Sequence, residues 1–371
     1  MAADNVEEHE VLICGAGIIG SAIAYYLAEK GVKSTVVEKG DVACASSGKA
    51  GGFLALDWND SSPVGPLARL SYALHKELAT TLGEDTGYRE VRTFSVTASA
   101  KPGRRRAARK DDLGWLDGNI TRVTEMAEEG TTAQVHPQKL TRALLSAAEV
   151  KGARLLRGTV QGVTLSADGT HVTGVTVDGR RLPAKAVVIA MGPWSGDATA
   201  WFPGLPRIGG QKAHSILVRP ARPVGADCLF AQLVTSSGQR TEPEVYPRPD
   251  GTVYICGESD SSAVPDDPLS ITPRADAMTA LQEAGAAMSS ALAEGTLEAQ
   301  QACFLPTSPD GLPVLGSIPG VKGAYIASGH SCWGILNAPA TGKAMADCIV
   351  DGNCSCVNLA ALSPDRFLRR R

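Results

Sequence analysis

Three glycines near the start of the chain have the spacing of a phosphate-binding turn. They are Gly15, Gly17 and Gly20 in the segment GAGIIG. The first permits a tight turn, the second lets the backbone approach a pyrophosphate, and the third lets a helix pack closely on a strand. Glu38 follows where a carboxylate can accept hydrogen bonds from both ribose hydroxyls and would repel a 2′-phosphate. These residues predict binding of FAD or NAD rather than NADP.

A second segment, rich in small residues, reads ASSGKAGGFLAL at 45–56. Backbone amides of such a loop can lie against a flat ligand. Ser46 and Ser47 can donate hydrogen bonds to phosphate or ribitol oxygens, and Lys49 adds a positive charge. The segment could also be a simple linker, but its position after the glycine turn favours a second cofactor loop.

The elements around the glycine turn form a complete βαβ unit. Residues 10–14 are a short β-branched apolar run, which predicts a buried parallel strand. Residues 21–30 repeat apolar positions at helical spacing and stop at Gly31, and 33–38 predict the next strand. The helix N-terminus would supply N–H donors and a positive potential for phosphates. An ordinary glycine-rich turn is the alternative, and the flanking strand and helix argue against it.

The rest of the chain predicts a mixed architecture. Helical spacing marks three further segments, 68–82, 136–151 and 271–295. The dipeptide Asp168-Gly169 indicates a β-hairpin, and alternating polarity between Pro and Gly turns predicts antiparallel strands over 207–300. Buried strands and a helix near 342–350 follow. The fold class is therefore α/β (α+β overall), a Rossmann-like domain with a second domain built on an antiparallel or mixed sheet.

Composition and charge exclude several classes of protein. The chain has 371 residues, of which 43% are hydrophobic, and this predicts a globular protein with a core. The 36 Lys and Arg against 39 Asp and Glu give a formal net charge of −3, so no basic field favours nucleic acid. A local basic cluster at 104–110 is interpreted as a solvated loop, with an anionic partner as the alternative.

Cysteine usage and the chain ends bear on the compartment. The nine cysteines are odd in number and contain no CxxC pair, which indicates reduced thiols. Cys354 and Cys356 could ligate a metal, but no second pair or nearby His accompanies them, so no metal site is predicted. The acidic start MAADNVEEHE does not resemble a signal peptide, 11–28 reads as a strand and helix rather than a membrane span, and Arg369-Arg370-Arg371 is no peroxisomal tripeptide. A cytoplasmic protein is expected.

Segments spread along the chain together resemble the D-amino acid oxidase superfamily of FAD enzymes, in its glycine oxidase and sarcosine oxidase branch. They are VLICGAGIIGSAIAYYLAEKG with Glu38, SSGKAGGFLA, VVIAMGPWS, CFLPTSPDGLPVLG and IASGHSCWGILNAPATG. They occur in the family's order and span residues 10–350, and the last two are specific to the family. The sequence looks closer to the uncharacterised oxidoreductases of the family than to any branch with a settled substrate.

The resemblance implies a two-domain fold and a chemistry. Residues 6–60, 130–200 and 301–360 would form a discontinuous FAD-binding domain, and 61–129 and 201–300 would form the substrate domain. The implied reaction is hydride transfer from a carbon bearing an amine to flavin N5. The imine would then hydrolyse, and O2 (giving H2O2) or an electron-accepting protein would reoxidise the flavin. The expected partner is a small-molecule amine, with no nucleic acid and no membrane span, and a monomer or small homo-oligomer is expected.

The resemblance also implies which residues contact FAD. They are Gly15, Ala16, Gly17, Ile18, Ile19, Gly20, Glu38, Lys39, Ala45, Ser46, Ser47, Lys49, Gly51, Gly52, Phe53, Val160, Ala190, Gly192, Trp194, Gly329, His330, Ser331, Cys332, Trp333, Gly334 and Ile335. Within this set the glycine turn would hold the pyrophosphate, Glu38 the adenosine ribose, and the backbone of Val160 the adenine. The helix that begins near Gly334 could stabilise an anionic reduced flavin.

Several positions depart from the amino-acid oxidases of this family. Leu305 stands where an Arg clamps the substrate carboxylate, and Cys332 and Trp333 stand where a second anchoring Arg falls. The oxygen-activating Lys of sarcosine oxidases would lie near Ile255 and is missing. Cys303 aligns with the cysteine that some sarcosine oxidases link to the flavin, and a buried apolar Cys is the alternative.

Without these anchors, other side chains must orient the substrate. Tyr246 aligns with substrate-facing tyrosines, Trp333 would form an apolar or cation-holding wall, and His214 lies on a strand that enters the same sheet. These are the predicted catalytic-site residues, and Lys49 and Lys212 are the nearest candidate cations. Sheet packing or a solvent-facing tip is the alternative for each. If Tyr246 and Trp333 line the pocket, the substrate would be bulkier or more apolar than glycine.

The main functional expectation is FAD-dependent oxidation of the C–N bond of a small amine or amino-acid derivative. Two alternatives remain open. One is FAD-dependent dehydrogenation of a 2-hydroxy acid. The other is a non-enzymatic flavoprotein with a role in trafficking or assembly, and the loss of both Arg anchors motivates it.

Overall fold

A computed structural model describes residues 8–83, 86–101 and 113–368 of the chain. The basic cluster at 104–110 and Arg369–Arg371 lie outside these residues. The strands of the described part are β1 (His9–Cys14), β2 (Ser34–Glu38), β3 (Phe53–Ala55), β4 (Arg89–Glu90), β5 (Thr93–Ser99), β6 (Ile120–Glu125), β7 (Thr132–Gln134), β8 (Arg154–Arg157), β9 (Val160–Leu165), β10 (Val172–Val177), β11 (Arg180–Ile189), β12 (Gly209–Arg219), β13 (Cys228–Val234), β14 (Arg240–Thr241), β15 (Glu244–Pro247), β16 (Val253–Asp260), β17 (Thr296–Thr307), β18 (Val314–Ser317) and β19 (Ala324–Ser328).

The α-helices of the same part are α1 (Ile18–Glu29), α2 (Ser46–Lys49), α3 (Gly65–Leu82), α4 (Pro137–Val150), α5 (Ala275–Met288), α6 (Ser290–Ala293), α7 (Gly334–Val350) and α8 (Asp365–Leu368). Short 3₁₀ helices cover Leu113–Trp115, Gly192–Ala200, Pro268–Ser270 and Ser331–Trp333. Over the three described ranges, no helix combines the length and the apolar character that crossing a membrane requires.

The predicted βαβ unit is the centre of the first sheet. β1 lies between β2 and β11, and all three strands are parallel, with Ile13 opposite Val36 on one side and Val188 on the other. The sheet has eight strands in the order β18-β19-β11-β1-β2-β8, and β10 and β9 extend from β11 as antiparallel partners. The central strands read as continuous apolar runs because both faces of the sheet are covered.

Helices α1, α3, α4 and α7 cover one face of this sheet. Ile23, Leu144 and Met345 are fully buried in the core that they share. α1 and α7 cross closely at Gly342, where a Cβ atom would lie 2.6 Å from the backbone carbonyl carbon of Ala22. This close crossing holds the N-terminal half of α7 against the sheet.

The second sheet has eight strands in the order β17-β12-β16-β15-β13-β5-β6, with β14 paired to β13. Successive residues of a strand point to opposite faces, and the packing separates the two faces clearly. Val245 and Ile255 lie in the core beneath α5. Tyr246 and Tyr254 lie in a cluster with Phe53 on the other face, which we call the aromatic face.

The predicted division into domains stays a prediction, and two elements cross it. α3 packs against α7 and contributes Leu67 and Leu74 to the core of the first sheet, although the sequence assigned 61–129 to the substrate domain. β17 pairs with β12 as far as Thr307, although the sequence assigned 301–360 to the FAD-binding domain. We therefore propose that α3 belongs with the first sheet and that all of β17 belongs with the second.

Candidate functional site

A cleft opens at the C-terminal ends of the parallel strands, between the first sheet and the second. It encloses about 1310 Å³, part of it open to solvent, and most small-molecule sites are smaller, at ~300–1,000 Å³. Its lining includes Gly15, Glu38, Ala190 and Ser328 at or just beyond the ends of strands in the first sheet, and Leu305 of β17. Binding sites of open α/β sheets occupy this edge because the strand ends and the following turns meet there.

Most of the predicted cofactor-contacting residues line this cleft. They are Gly15, Gly17, Ile18, Ile19, Glu38, Lys39, Ala45, Ser46, Ser47, Val160, Ala190, Gly192, Trp194, His330, Ser331, Cys332, Gly334 and Ile335. The others pack behind the lining or beside it. They are Ala16, Gly20, Lys49, Gly51, Gly52, Phe53, Gly329 and Trp333.

One wall of the cleft was missed by the sequence analysis. Asp266 and Pro268, in the segment after β16, line it. Nζ of Lys39 donates a 2.8 Å hydrogen bond to the carbonyl oxygen of Asp266, and Nε1 of Trp194 donates at 2.7 Å to that of Pro265. No local pattern identifies this segment, because the second sheet carries it to the cleft from a distant part of the chain.

The glycine turn has the close approach that its spacing predicts. Gly15 has a φ of +107°, and a Cβ atom there would lie 2.5 Å from the carbonyl oxygen of Ala190. A Cβ atom at Gly20 would overlap the carbonyl oxygen of Gly15. Gly17 is the N-cap of α1, and the first turn of α1 contains no acidic residue. The positive potential at this helix end is therefore not neutralised by its own side chains.

Glu38 is held at the end of β2 by backbone donors. Its Oε2 atom accepts a 2.7 Å hydrogen bond from the N–H of Ala16, and its Oε1 atom accepts one of 2.8 Å from the N–H of Gly40. Each carboxylate oxygen has a second lone pair, so both can still accept a hydroxyl. Contact with ribose hydroxyls stays a prediction, and the geometry leaves room for it.

The second cofactor loop is bound to the second sheet. Oγ of Ser46 donates a 2.6 Å hydrogen bond to the carbonyl oxygen of Phe304, and Nζ of Lys49 donates one of 3.0 Å to that of Ala302. Oγ of Ser47 accepts a 2.9 Å hydrogen bond from the N–H of Ile18. Ser46 and Lys49 were predicted to face the ligand with their polar groups. In the structure these groups bind β17 instead, and only Ser47 keeps its hydroxyl proton for a ligand.

The loop before α7 forms another wall. His330 is buried, with Nε2 at 3.1 Å from Oγ1 of Thr341. Burial lowers the pKa of His330 to about 3, so the ring is neutral near pH 7. Its Nδ1 atom is buried and has no hydrogen-bond partner in the described ranges. Ser331 has a φ of +52°, and the chain turns there into α7.

Tyr246 and Trp333 come together in the aromatic cluster beside this loop. The ring of Tyr246 stacks on Phe53 at a centroid distance of 5.6 Å and on Tyr254 at 6.0 Å. Trp333 meets Trp58 edge to face at 6.4 Å. The cluster lies beside the cleft, since Trp333 stands between Cys332 and Gly334, which line it.

Gly51 and Gly52 let the cofactor loop pass close to its neighbours. A Cβ atom at Gly51 would lie 2.6 Å from the ring of Tyr246, and one at Gly52 would overlap the carbonyl oxygen of Val135. Gly51 therefore serves packing of the loop on the aromatic face, and Gly52 serves packing of the loop on the segment before α4. Gly329, which precedes His330, faces Ser308 rather than the cleft.

Glu244 lies on the aromatic face, and the sequence analysis missed it. Its Oε2 atom accepts a 2.5 Å hydrogen bond from Oη of Tyr246 and a 3.6 Å contact from Sγ of Cys256. Burial and then the charge of Glu244 raise the pKa of Tyr246 well above its usual value, so the phenol stays protonated. Burial and then Glu244 also raise the pKa of Cys332, which lines the cleft. The alternation in EVYP would have placed residues 244 and 246 on one face.

His214 lies on the opposite face of the second sheet. Its Nδ1 atom is 3.3 Å from the carbonyl oxygen of Glu258, and its Nε2 atom is 3.8 Å from Oδ2 of Asp260. Lys212 alternates with His214 along β12 and shares that face. The strand was identified correctly, but its register turns these side chains away from Tyr246. We therefore do not retain His214 or Lys212 as substrate contacts.

Leu305 and Cys303 share the cleft-facing side of β17. Leu305 lines the cleft, at the position where the resemblance places an Arg in amino-acid oxidases. Cys303 is buried, does not line the cleft, and has a pKa raised to about 11 by burial. A covalent link between Cys303 and a flavin stays a prediction.

Asp347 lies beside the two cysteines that the sequence analysis considered as metal ligands. The ligand atoms of Asp347, Cys354 and Cys356 all lie within 4.8 Å of one another. The Asp347 carboxylate also forms an ion pair with Nζ of Lys30 at 2.9 Å and accepts a hydrogen bond from Oγ of Ser355 at 3.1 Å. The carboxylate is therefore engaged by protein donors on both oxygens, and we propose no metal there.

The cleft suits the flavin dinucleotide that the resemblance implies. The N-terminus of α1 offers N–H groups and positive potential for phosphates, and Glu38 offers acceptors for hydroxyls. The buried Nδ1 atom of His330 lacks a protein partner in the described ranges and can pair with a polar ring. Apolar walls from Ile18, Ile335 and Leu305 complete the lining.

Comparisons with known proteins agree with this fit. C1F5.03c of Schizosaccharomyces pombe, provisionally named an oxidoreductase, is 29% identical over 388 residues, and the alignment covers 96% of this chain and 98% of that protein. Glycine oxidase of Geobacillus kaustophilus is 28% identical over 387 residues and 97% of each chain. The crystal structure of glycine oxidase from Geobacillus kaustophilus has the same fold, with a TM-score of 0.80 at 24% identity over 96% of this chain and 98% of that one.

The family described as FAD dependent oxidoreductase, abbreviated DAO, matches residues 10–348. That stretch contains the glycine turn, the aromatic face and the loop before α7. Since the match covers nearly the whole chain, the protein belongs to the DAO family of FAD dependent oxidoreductases and is an enzyme that uses FAD.

Proposed function

We propose that the protein oxidises the C–N bond of a small amine, with O2 as electron acceptor and hydrogen peroxide as a product. The observation that carries the proposal is the pair formed by Glu244 and Tyr246 on the aromatic face, next to Cys332 at the end of the cleft. FAD, when bound, supplies the chemistry by accepting a hydride from the substrate carbon.

The residues of the chain bind and orient the substrate. The carboxylate of Glu244 and the phenol of Tyr246 form a polar point at which an amine nitrogen can be held. Phe230 lies opposite Glu244 on the neighbouring strand, and Phe53 and Trp58 pack against Phe230 with apolar surface. Holding the reacting carbon in one orientation is the main contribution that a protein makes to such a reaction.

The start of α7 favours negative charge at the same end of the cleft. Gly334 and Ile335 line the cleft and form the first turn of the helix, which contains no acidic side chain. The helix dipole places partial positive charge there. A group that gains negative charge on reduction is therefore stabilised at this end.

Oxidation of a 2-hydroxy acid is the second candidate function, and the cleft supports it less well than oxidation of an amine. A hydroxy acid carries a carboxylate, and Leu305 stands in the cleft at the position where the resemblance places the Arg that clamps a carboxylate. A non-enzymatic role is not retained because the chain belongs to a family of oxidoreductases. O2 as acceptor is supported by relatives named glycine oxidase.

The direct test uses the purified holoenzyme without oxygen. Amines, amino acids and 2-hydroxy acids are mixed with it, and loss of the visible flavin absorbance is recorded. We expect amines to bleach the flavin, and readmitted air to restore the colour with release of peroxide. Bleaching by 2-hydroxy acids alone would contradict C–N oxidation. Bleaching by amines without reoxidation in air would contradict only the choice of O2.

A further inference from the structure

We propose that Glu244 binds the substrate nitrogen and selects the substrate class. That class is cationic amines with an apolar substituent and without a carboxylate on the carbon next to the nitrogen. The inference rests on the proposed function, because it assumes that the substrate is oxidised at this end of the cleft.

The contacts of Glu244 leave its charge without compensation from the protein. Oε2 accepts from Oη of Tyr246 at 2.5 Å and from Sγ of Cys256 at 3.6 Å, and both donors are neutral. Within the described ranges, the Glu244 carboxylate forms no ion pair. Holding a half-buried charge without a counter-charge costs free energy. A ligand that brings a positive charge recovers that free energy.

The cations near this face are held elsewhere. Nζ of Lys49 donates to the carbonyl oxygen of Ala302 at 3.0 Å. Arg248 lies beyond Tyr246 on the chain, on the side away from Glu244, and its Nη2 atom donates to Ala50 at 2.8 Å. Its guanidinium carbon also lies 5.1 Å over the ring of Tyr254. Within the described ranges, neither cation forms an ion pair with Glu244, and the buried Nε atom of Arg248 has no hydrogen-bond partner.

The neighbouring rings suit a cation with an apolar part. Phe230 lies opposite Glu244 on the neighbouring strand and contacts the rings of Tyr246, Phe53 and Trp58 within one cluster. Aromatic faces attract ammonium groups, and the attraction increases when water is excluded. The cluster also accommodates apolar substituents of the amine by burial of their surface.

The same arrangement disfavours a carboxylate. A carboxylate next to the amine nitrogen would lie close to Glu244, and like charges repel strongly in a partly buried site. The side chains next to Glu244, which are Phe230 on one neighbouring strand and Cys256 on the other, bring no positive charge to offset this repulsion. The charge distribution thus selects against amino acids with an unmodified α-carboxylate.

The test compares two ligands of one shape and opposite charge. tert-Butylamine is protonated at pH 7 and has no hydrogen on the carbon next to nitrogen, so it cannot be oxidised at that carbon. Pivalate carries the same tert-butyl group on a carboxylate. Binding of each to the holoenzyme is measured by calorimetry and by the change in the visible flavin spectrum. We expect tert-butylammonium to bind at least ~10-fold more tightly than pivalate.

Substitution assigns this preference to one residue. Glu244→Gln keeps the shape and removes the charge, and it should weaken tert-butylammonium binding by roughly 10- to 100-fold, since hydrogen bonds to charged groups are worth that much. Glu258→Gln is the matched control. Glu258 also accepts a hydrogen bond from a hydroxyl, Oγ1 of Thr241 at 3.1 Å, but it is the cross-strand neighbour of His214 and lies on the opposite face of the sheet. It should leave both affinities unchanged.

The outcomes separate this inference from the proposed function. Tighter binding of pivalate to the wild type would overturn the inference and needs no variant. An unchanged preference in a folded, FAD-containing Glu244→Gln protein would also overturn it. Anaerobic bleaching by amino acids together with a preference for pivalate would sink the inference alone. A clear preference for tert-butylammonium with no bleaching by any amine would contradict the proposed function and would leave Glu244 as a cation-binding residue only.

Discussion

Nε2 of His75 in α3 lies 3.0 Å from the carbonyl oxygen of Ile335 in α7. This carbonyl would normally pair with the N–H four residues later, but that residue is Pro339, which has no N–H. The same nitrogen lies 3.1 Å from the carbonyl oxygen of Leu336. Carbonyls only accept, so Nε2 carries the proton. His75 thus replaces the donor that the proline removes, in the turn of α7 that lines the cleft.

The first prediction concerns this replacement. His75→Leu leaves the Ile335 and Leu336 carbonyls without their side-chain donor in a buried place, which should lower the free energy of unfolding by about 1–3 kcal/mol. Urea denaturation of the holoenzyme measures it. His75→Gln keeps an N–H donor, so its free energy of unfolding should fall by less than that of His75→Leu. Equal stability of the Leu variant and the wild type would show that the carbonyls find other partners.

The second prediction concerns pH. Burial lowers the pKa of His75 to about 4 and that of His330 to about 3. The unfolded chain takes up these protons near pH 6.5 and the folded chain does not, so stability is full above pH 6.5 and falls as pH decreases towards 4. At pH 5 each of the two buried histidines should have lowered the free energy of unfolding by about 2 kcal/mol relative to its value at neutral pH.

Urea denaturation at several pH values tests this dependence. The slope of the free energy of unfolding against pH gives the number of protons that the chain takes up on unfolding. In His75→Gln this number should be lower by about one between pH 5 and 6. His171→Gln, at an exposed position, is the control and should keep the wild-type slope. A flat profile from pH 7 to 5 in the wild type would contradict the neutral, buried state of both rings.

The third prediction concerns the glycine turn. Gly15→Ala combines a φ of +107° with a Cβ atom 2.5 Å from the carbonyl oxygen of Ala190. Gly31→Ala is the matched control, because its φ is +75° but no atom lies within 4 Å of the new Cβ atom. The control should cost about 1–2 kcal/mol from backbone strain alone. Gly15→Ala should cost more and should also lower FAD content, read as flavin absorbance per protein. Equal losses in the two variants would mean that the turn adapts.

The fourth prediction concerns Glu38. Glu38→Ala removes the acceptor of the Ala16 and Gly40 N–H groups and the predicted ribose contact. Most of the FAD should be lost on gel filtration, whereas the apoprotein should stay folded by circular dichroism. Glu10→Ala removes a carboxylate that accepts from the N–H of Lys33 at 3.1 Å, away from the FAD cleft. That control should keep its FAD, and full FAD content in Glu38→Ala would contradict the predicted contact.

Local patterns predicted the parts of the site that depend on backbone conformation. The strand predicted at 10–14, the glycine turn and the helical spacing at 21–30 follow from residues next to one another, and the structure has β1 (His9–Cys14) and α1 (Ile18–Glu29) there. The start of α7 was not found in this way. The local pattern predicted a helix only near 342–350, whereas the resemblance implied a helix start near Gly334, and α7 begins at Gly334 although Pro339 lies inside it. The donor that permits this comes from His75, far away in the chain.

Alternation along a strand can indicate which residues share a face, but not which face meets the cleft. α5 covers the side of the second sheet that carries Val245 and Ile255, and its packing determines which side of β12 and β15 is left to face the cleft. His214 falls near that side, and Glu244 falls on the other. Sequence alone does not contain this choice, because it depends on how elements separated along the chain pack together.

The last prediction concerns a substitution that adds a positive charge to the cleft. Leu305 lines the cleft on β17, and in the amino-acid oxidases that the chain resembles an Arg occupies this position. Leu305→Arg adds a guanidinium that can bind a carboxylate in two places, on a strand three positions away from the strand of Glu244. Affinity for pivalate should rise by roughly 10-fold or more, and affinity for tert-butylammonium should stay as in the wild type, with both measured on the holoenzyme. Gln300→Arg adds the same charge at an exposed position of β17 and should change neither affinity. If Leu305→Arg retains FAD but binds both ligands as the wild type does, residue 305 lies too far from the substrate to act on it.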